Sequence, residues 1–137
     1  MKINIYDYLE ESAEKFADKI AIADDKLAFT FSEWRERAER IGTAIHEETG
    51  GVIRKPVLVF VDRRIEGLVG FMGVVASGNF YVPIDCRMPE QRIKLIVEIL
   101  SPVAAVCVTD AEETILRDIG FGGVVVRYQE AERQEAD

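Results

Sequence analysis

Five aspartates stand where apolar runs end: Asp24, Asp25, Asp62, Asp85 and Asp110. Acids collected at strand ends can hold a divalent cation or take a phosphoryl group, so their surroundings decide whether this chain carries such chemistry. Asp24-Asp25-Lys26 reads as turn chemistry between two short apolar runs, not as a strand-to-helix loop. After the last apolar run, Val126 leads into Arg127, with no lysine to meet a phosphate. Asp85 and Arg92 flank Pro89 at a spacing that lets them pair across a turn and fix the start of the next helix. Such a pair reads as structural.

The other reactive types are sparse. His46 is the single histidine, placed near a predicted helix end beside Glu47 and Glu48, with no matched serine or cysteine nucleophile. One histidine also makes no metal site. Cys107 lies in an apolar run and reads as a small core residue, whereas Cys86 lies in a loop as a partly exposed thiol. Gly67, Gly70 and Gly73 recur every third residue in one apolar helix. They are not followed by the Lys-Ser/Thr of a phosphate loop, so they read as close-packing positions. Gly120-Phe121-Gly122-Gly123 precedes a strand instead of opening a helix, which makes it a turn. No residue is assigned as catalytic, cofactor-binding or metal-binding.

The elements that position these residues follow from periodicity. Asn4 can cap a first helix with Ile5, Tyr8, Leu9 and Phe16 on one face. Ile20 to Ala23 and Leu27 to Thr30 form a predicted hairpin, with Leu27, Phe29 and Phe31 on one side. Ser32 is the expected N-cap of a helix running to Glu48, its inner stripe Trp34, Ala38, Ile41 and Ile45. Strand Val57 to Val61 is apolar on both faces, as a central parallel strand should be. A helix from Ile65 to Ala76 follows, then strand Phe80 to Val82, cut by Pro83. Pro89 suits the first position of the next helix, with Ile93, Ile96, Val97 and Leu100 inward. Val103 to Val108, a short helix from Glu112 to Ile119 and Val124 to Val126 complete the alternation, which predicts an α/β class with a largely parallel sheet.

The 137 residues suit one domain, and 48% hydrophobic content suffices for a core. A net charge of −8 repels phosphate backbones and anionic lipid, so neither nucleic acid nor membrane is an expected partner. The chain starts with no signal-like segment, and the expected compartment is the cytoplasm.

Three segments in register resemble the adenylate-forming enzymes, the acyl- and aminoacyl-activating ligases. Phe29-Thr30-Phe31-Ser32-Glu33-Trp34 is similar to the family's Leu-Thr/Ser-Tyr-x-Glu-Leu. Ala76-Ser77-Gly78-Asn79-Phe80-Tyr81-Val82-Pro83-Ile84-Asp85, then Pro89 and Arg92, resembles Lys-Ala-Gly-x-Ala-Tyr-Val-Pro-hydrophobic-Asp followed by Pro-x-x-Arg. Val103 to Thr109 resembles the strand ending in threonine after the next helix. Tyr-Val-Pro-Ile-Asp looks like amino-acid activation. Lys55-Pro56-Val57 is similar to D-alanine–carrier protein ligases, with nonribosomal-peptide adenylation domains equally open. Ala76, Phe80 and Cys86 depart from the usual residues.

The resemblance implies an incomplete N-terminal subdomain of the adenylate-forming fold. Residues 1–128 are its scaffold and 129–137 a polar, frayed tail. The complete enzyme would use ATP and Mg²⁺ to make an aminoacyl-AMP and pass it to a carrier's pantetheine thiol. The family's Ser/Thr/Gly-rich, lysine-bearing phosphate loop would come after Val126, so these residues alone are expected to need no cofactor and to be inactive. Expected partners are the remainder of the enzyme, the carrier, and a second copy through exposed apolar surface. A non-catalytic binding module, such as a receiver-like domain phosphorylated at Asp62, remains the alternative. So does a short protein that pairs with a separate catalytic chain.

Overall fold

The computed structural model describes residues 5–61 and 64–133. The Asn4 cap and Asp62 lie outside them, as do residues 134–137. In chain order the elements are α1 (Ile5–Lys15), β1 (Ile20–Ala23), β2 (Ala28–Thr30), α2 (Phe31–Glu48), β3 (Pro56–Phe60) and α3 (Glu66–Ala76). Then come β4 (Phe80–Ile84), α4 (Glu90–Leu100), β5 (Ala104–Cys107), α5 (Asp110–Asp118), β6 (Val124–Arg127) and α6 (Tyr128–Ala131).

β1 and β2 form the antiparallel hairpin. The other strands make a parallel four-stranded sheet in the order β4-β3-β5-β6. Its two faces are covered separately. Val57, Val59 and Val106 point to α2 and α3, packing with Ile41, Ile45, Val69 and Val74. Leu58, Phe60, Ala105 and Cys107 point to α4 and α5, packing with Ile93 and Leu116. The interior strands β3 and β5 are buried on both faces, which is why their sequences are continuously apolar. The sheet is doubly wound: the chain leaves β3 toward β4 on one face and leaves β5 toward β6 on the other.

Several expectations change on contact with the fold. The buried face of α1 is Tyr6, Leu9 and Ala13, with Tyr8 59% exposed and Ile5 and Phe16 also outward. The register is set by Tyr6, whose hydroxyl donates to Glu39 of α2 at 2.9 Å. Leu27 is exposed, and of the expected hairpin trio only Phe29 is fully buried. The cap of α2 is Thr30 rather than Ser32. Its Oγ1 accepts from the Glu33 N–H at 3.1 Å, and Glu33 accepts from the Thr30 N–H at 2.9 Å, a complete capping box. α3 starts at Glu66, and Pro89 caps α4 from outside its first turn.

Pro83 does not cut β4 but lies within it. The Phe80 N–H donates to Lys55 and the Ile84 carbonyl accepts from Val61, so alternate residues face β3 and Pro83 turns outward, where its missing N–H costs no ladder bond. Residues 128–131 of the polar end form α6, with Tyr128 and Ala131 buried. Of the three α3 glycines, Gly70 and Gly73 serve packing, while Gly67 has room for a methyl group. A Cβ on Gly73 would lie 2.5 Å from Ile41 Cγ2, so α2 and α3 meet at a distance only glycine permits.

Candidate functional site

In a doubly wound sheet, ligands favour the carboxyl ends of the two strands from which the chain departs in opposite directions. Here those strands are β3 and β5, and the residues beyond them are 61–65 and 108–112. Thr109 caps α5 by accepting the Glu112 N–H at 3.3 Å. Glu112 then folds back, and its Oε1 accepts the Val108 N–H at 2.8 Å. Its Oε2 accepts from Arg64 Nη2 at 3.0 Å. Glu112 is only 2% exposed, and this ion pair ties the start of α5 to Arg64 ahead of α3.

The hairpin is tied to the same loop. Asp24 Oδ2 accepts the Ile65 N–H at 2.8 Å, and its Oδ1 accepts the N–H groups of Lys26 and Leu27. These backbone donors hold its carboxyl below the usual range. Asp85 meets Arg87, two residues on, rather than Arg92. The guanidinium reaches both carboxylate oxygens at 2.7–3.2 Å, and Arg87, first through its side chain and then through its backbone N–H, lowers the Asp85 pKa to about 2. Asp110 is exposed in the first turn of α5 and Asp25 in the hairpin turn. Among the described residues no three His, Cys, Asp or Glu converge to hold a metal. No helix there is long and apolar enough to cross a membrane.

His46 is exposed on the wall of a groove between α1, α2 and the end of α3. Ser77 lines the same groove, where its hydroxyl donates to the Val74 carbonyl at 2.7 Å and accepts from Asn79 at 3.0 Å. Cys107 is buried. Burial, then Glu112 and Glu113 nearby, push its thiol up to about 12, which keeps it protonated and inert. Cys86 is exposed.

Two residues essential to this architecture carry no sequence signal of their role. Glu112 sits three residues after Thr109, a capping-box spacing, yet its carboxylate passes over the cap to Val108 and Arg64. Asn79 is buried behind Gly78. Its Oδ1 accepts the Lys55 N–H at 3.0 Å, and its Nδ2 donates to the Val52 carbonyl at 3.2 Å. It staples the approach to β3 onto the approach to β4.

The geometry describes a parallel α/β scaffold whose polar side chains at the sheet's carboxyl ends bind one another. A family model described as AMP-binding enzyme matches residues 9–136, and the chain belongs to that family. This overturns the receiver-like alternative. The chain is similar to tyrocidine synthase 1 of Brevibacillus parabrevis, 29% identical over 93% of this chain and 12% of that protein. It is also similar to bacitracin synthase 2 of Bacillus licheniformis, 35% identical over 65% of this chain and 3% of that one. To the D-alanine–D-alanyl carrier protein ligase of Lactiplantibacillus plantarum it is 30% identical over 78% of this chain and 21% of the ligase. The chain thus spans about a fifth or less of the length of these relatives.

Solved structures share the fold. The nonribosomal peptide synthetase FmoA3 superposes with a TM-score of 0.86 at 22% identity, over 98% of this chain and 14% of that one. A benzoate CoA ligase from Burkholderia xenovorans LB400 gives 0.84 at 19% identity, over 98% and 29%.

Proposed function

We propose that these residues are the N-terminal scaffold of an ATP-dependent ligase that activates an amino acid and hands it to the pantetheine thiol of a carrier protein. The observation that supports this most is the register of Phe29–Trp34, Ala76–Arg92 and Val103–Thr109 inside one family match over 9–136. Tyr81-Val82-Pro83-Ile84-Asp85 favours an amino acid over a fatty acid. In the complete reaction the substrate carboxylate attacks the α-phosphorus of ATP, a C–O–P linkage forms, and the bond to pyrophosphate breaks. The carrier's sulfur then takes the acyl group and AMP leaves.

The residues in hand contribute support rather than reaction. Arg64 and Glu112 neutralise each other across the crevice, and Asp24 and Asp85 are held by donors of their own chain. The acids of the described residues do not converge into a Mg²⁺ site. Residues 1–128 act as the scaffold unit in the cytoplasm, with 129–137 as its polar end. Exposed Phe80, Leu95 and Ile99 favour burial against the rest of the enzyme or a second copy.

The test is ATP–pyrophosphate exchange by this chain across a panel of amino acids. The expected rate is that of the blank; amino-acid-dependent exchange would refute the scaffold reading. Light scattering at rising concentration is expected to show dimers, and a constant monomer mass removes that part.

A further inference from the structure

Helix α4 lays Ile93, Ile96 and Val97 against the sheet and turns a second apolar pair outward. Leu95 is 54% exposed and Ile99 70%, the latter the most exposed large apolar side chain among the described residues. The helix also stands apart in charge. Its acids Glu90 and Glu98 balance its bases Arg92 and Lys94, whereas every other described helix carries an excess of acid. In a chain of net charge −8, α4 is therefore the helix on which two like-charged copies meet with least repulsion. The charges are also placed for self-recognition. At 3.6 residues per turn, Lys94 and Glu98 lie one turn apart on the same flank of the Leu95–Ile99 pair. They stand two positions to either side of Ile96. Lay a second α4 antiparallel to the first, with the twofold axis level with Ile96. Each Lys94 then faces a Glu98 of the other copy, and the two Leu95–Ile99 pairs interleave between the helices.

We propose that two copies of this chain associate through this face, α4 against α4, in a symmetric antiparallel pair. The assignment rests on the second-copy reading above and gives it a surface and a register; it does not depend on the ligase reading. Leu95 and Ile99 of both copies exclude water at the centre, and two Lys94–Glu98 pairs fix the alignment. A contact built on one 11-residue helix buries less than the roughly 800 Å² per partner of a standard interface. The dimer is accordingly weak, with a Kd on the order of 100 µM.

Sedimentation velocity of the full chain, from about 10 µM to about 1 mM, tests this around the expected Kd. The parent should pass from monomer to dimer across that range. Lys94→Glu and Glu98→Lys should each weaken association roughly tenfold, since either one turns two attractive pairs into two repulsive ones. An equimolar mixture of these two variants should associate as the parent does, because acid again faces base at both pairs. A change confined to the folding of α4 would not produce that recovery. Ile99→Asp should stay monomeric throughout, and all three variants should melt with the parent because the side chains are exposed. A parent that remains monomeric at the highest concentration removes the dimer altogether, the second-copy reading included. A dimer that persists in Ile99→Asp, or a mixture that associates no more tightly than its components, leaves the dimer standing and overturns the α4 face.

Discussion

Replacing each of the three glycines of α3 by alanine should give three different answers, because their surroundings differ. In a helix interior the exchange itself gains about 1 kcal/mol. At Gly67 the new Cβ meets the Phe60 carbonyl oxygen at 3.5 Å and Val61 Cα at 3.6 Å, ordinary contacts. Gly67→Ala should therefore keep most of the gain and stabilise by roughly 0.5 kcal/mol, the site being in the first turn. At Gly70 the nearest atom is Val59 Cγ1 at 3.1 Å, a methyl group with little room to turn, so gain and crowding should nearly cancel.

At Gly73 the Cβ lies 2.5 Å from Ile41 Cγ2 and 2.6 Å from Ile41 Cβ. A rotamer change moves the first atom but not the second. Reaching a contact of about 3.6 Å requires α2 and α3 to part by about 1 Å. That loosens Ile41, Ile45 and Val74, each fully buried. Overpacking of this rigid kind costs ~3 kcal/mol, and the helix gain leaves a net loss of about 2 kcal/mol. Ile41→Val should not rescue it, because valine keeps the offending Cβ. Urea unfolding at fixed temperature reads the series as shifts in midpoint at constant slope. A Gly73→Ala midpoint at or above the parent's, or a Gly67→Ala midpoint that falls as far, would refute the packing argument.

The remaining expectations concern the polar groups. Glu112→Ala should cost about 3 kcal/mol, since it removes the buried acid that Arg64 donates to and leaves the half-buried Val108 N–H without its acceptor. Glu112→Gln should cost less, because its carbonyl can still accept from Val108; equal losses in chemical denaturation would contradict that division. Asp85 is held at about 2 against an ordinary 3.8, so the stability it contributes is complete above the ordinary value and disappears as pH falls toward the folded one. Melting temperature against pH should thus decline less steeply for Asp85→Asn than for the parent between those two values, and parallel curves would count against the Arg87 pairing. Iodoacetamide at mildly alkaline pH should add one group to the native chain, at exposed Cys86, and two in denaturant. Native modification of Cys107, read by peptide mass, would show that its burial is wrong.

What the sequence made legible was whatever depends on neighbours in the chain. The apolar run at Val57–Phe60 must be buried on both faces, and the alternation of strands and helices leaves little choice but a parallel sheet. Where two local signals competed, the wrong one was easy to choose. Ser32 and Thr30 are both capping residues, and Glu33, three positions after Thr30, decides between them. What stayed hidden depends on distant partners. Tyr6 turns the face of α1 because Glu39 lies across from it, Asn79 joins Lys55 and Val52, and Glu112 finds Arg64 forty-eight positions away.

This division also explains why the stretch from Ala76 to Asp85 discloses the family. Gly78 adopts a φ of +84° that ends α3, Asn79 staples two approaches to the sheet, Pro83 takes the outward side of an edge strand, and Asp85 closes a turn on Arg87. Each residue is set by local backbone demands, and such demands print a readable pattern. A reactive centre is assembled from separate parts of a chain, as the Arg64–Glu112 crossing is here, and leaves no comparable pattern in any one of them. The chain's family is therefore far more legible in its sequence than its chemistry.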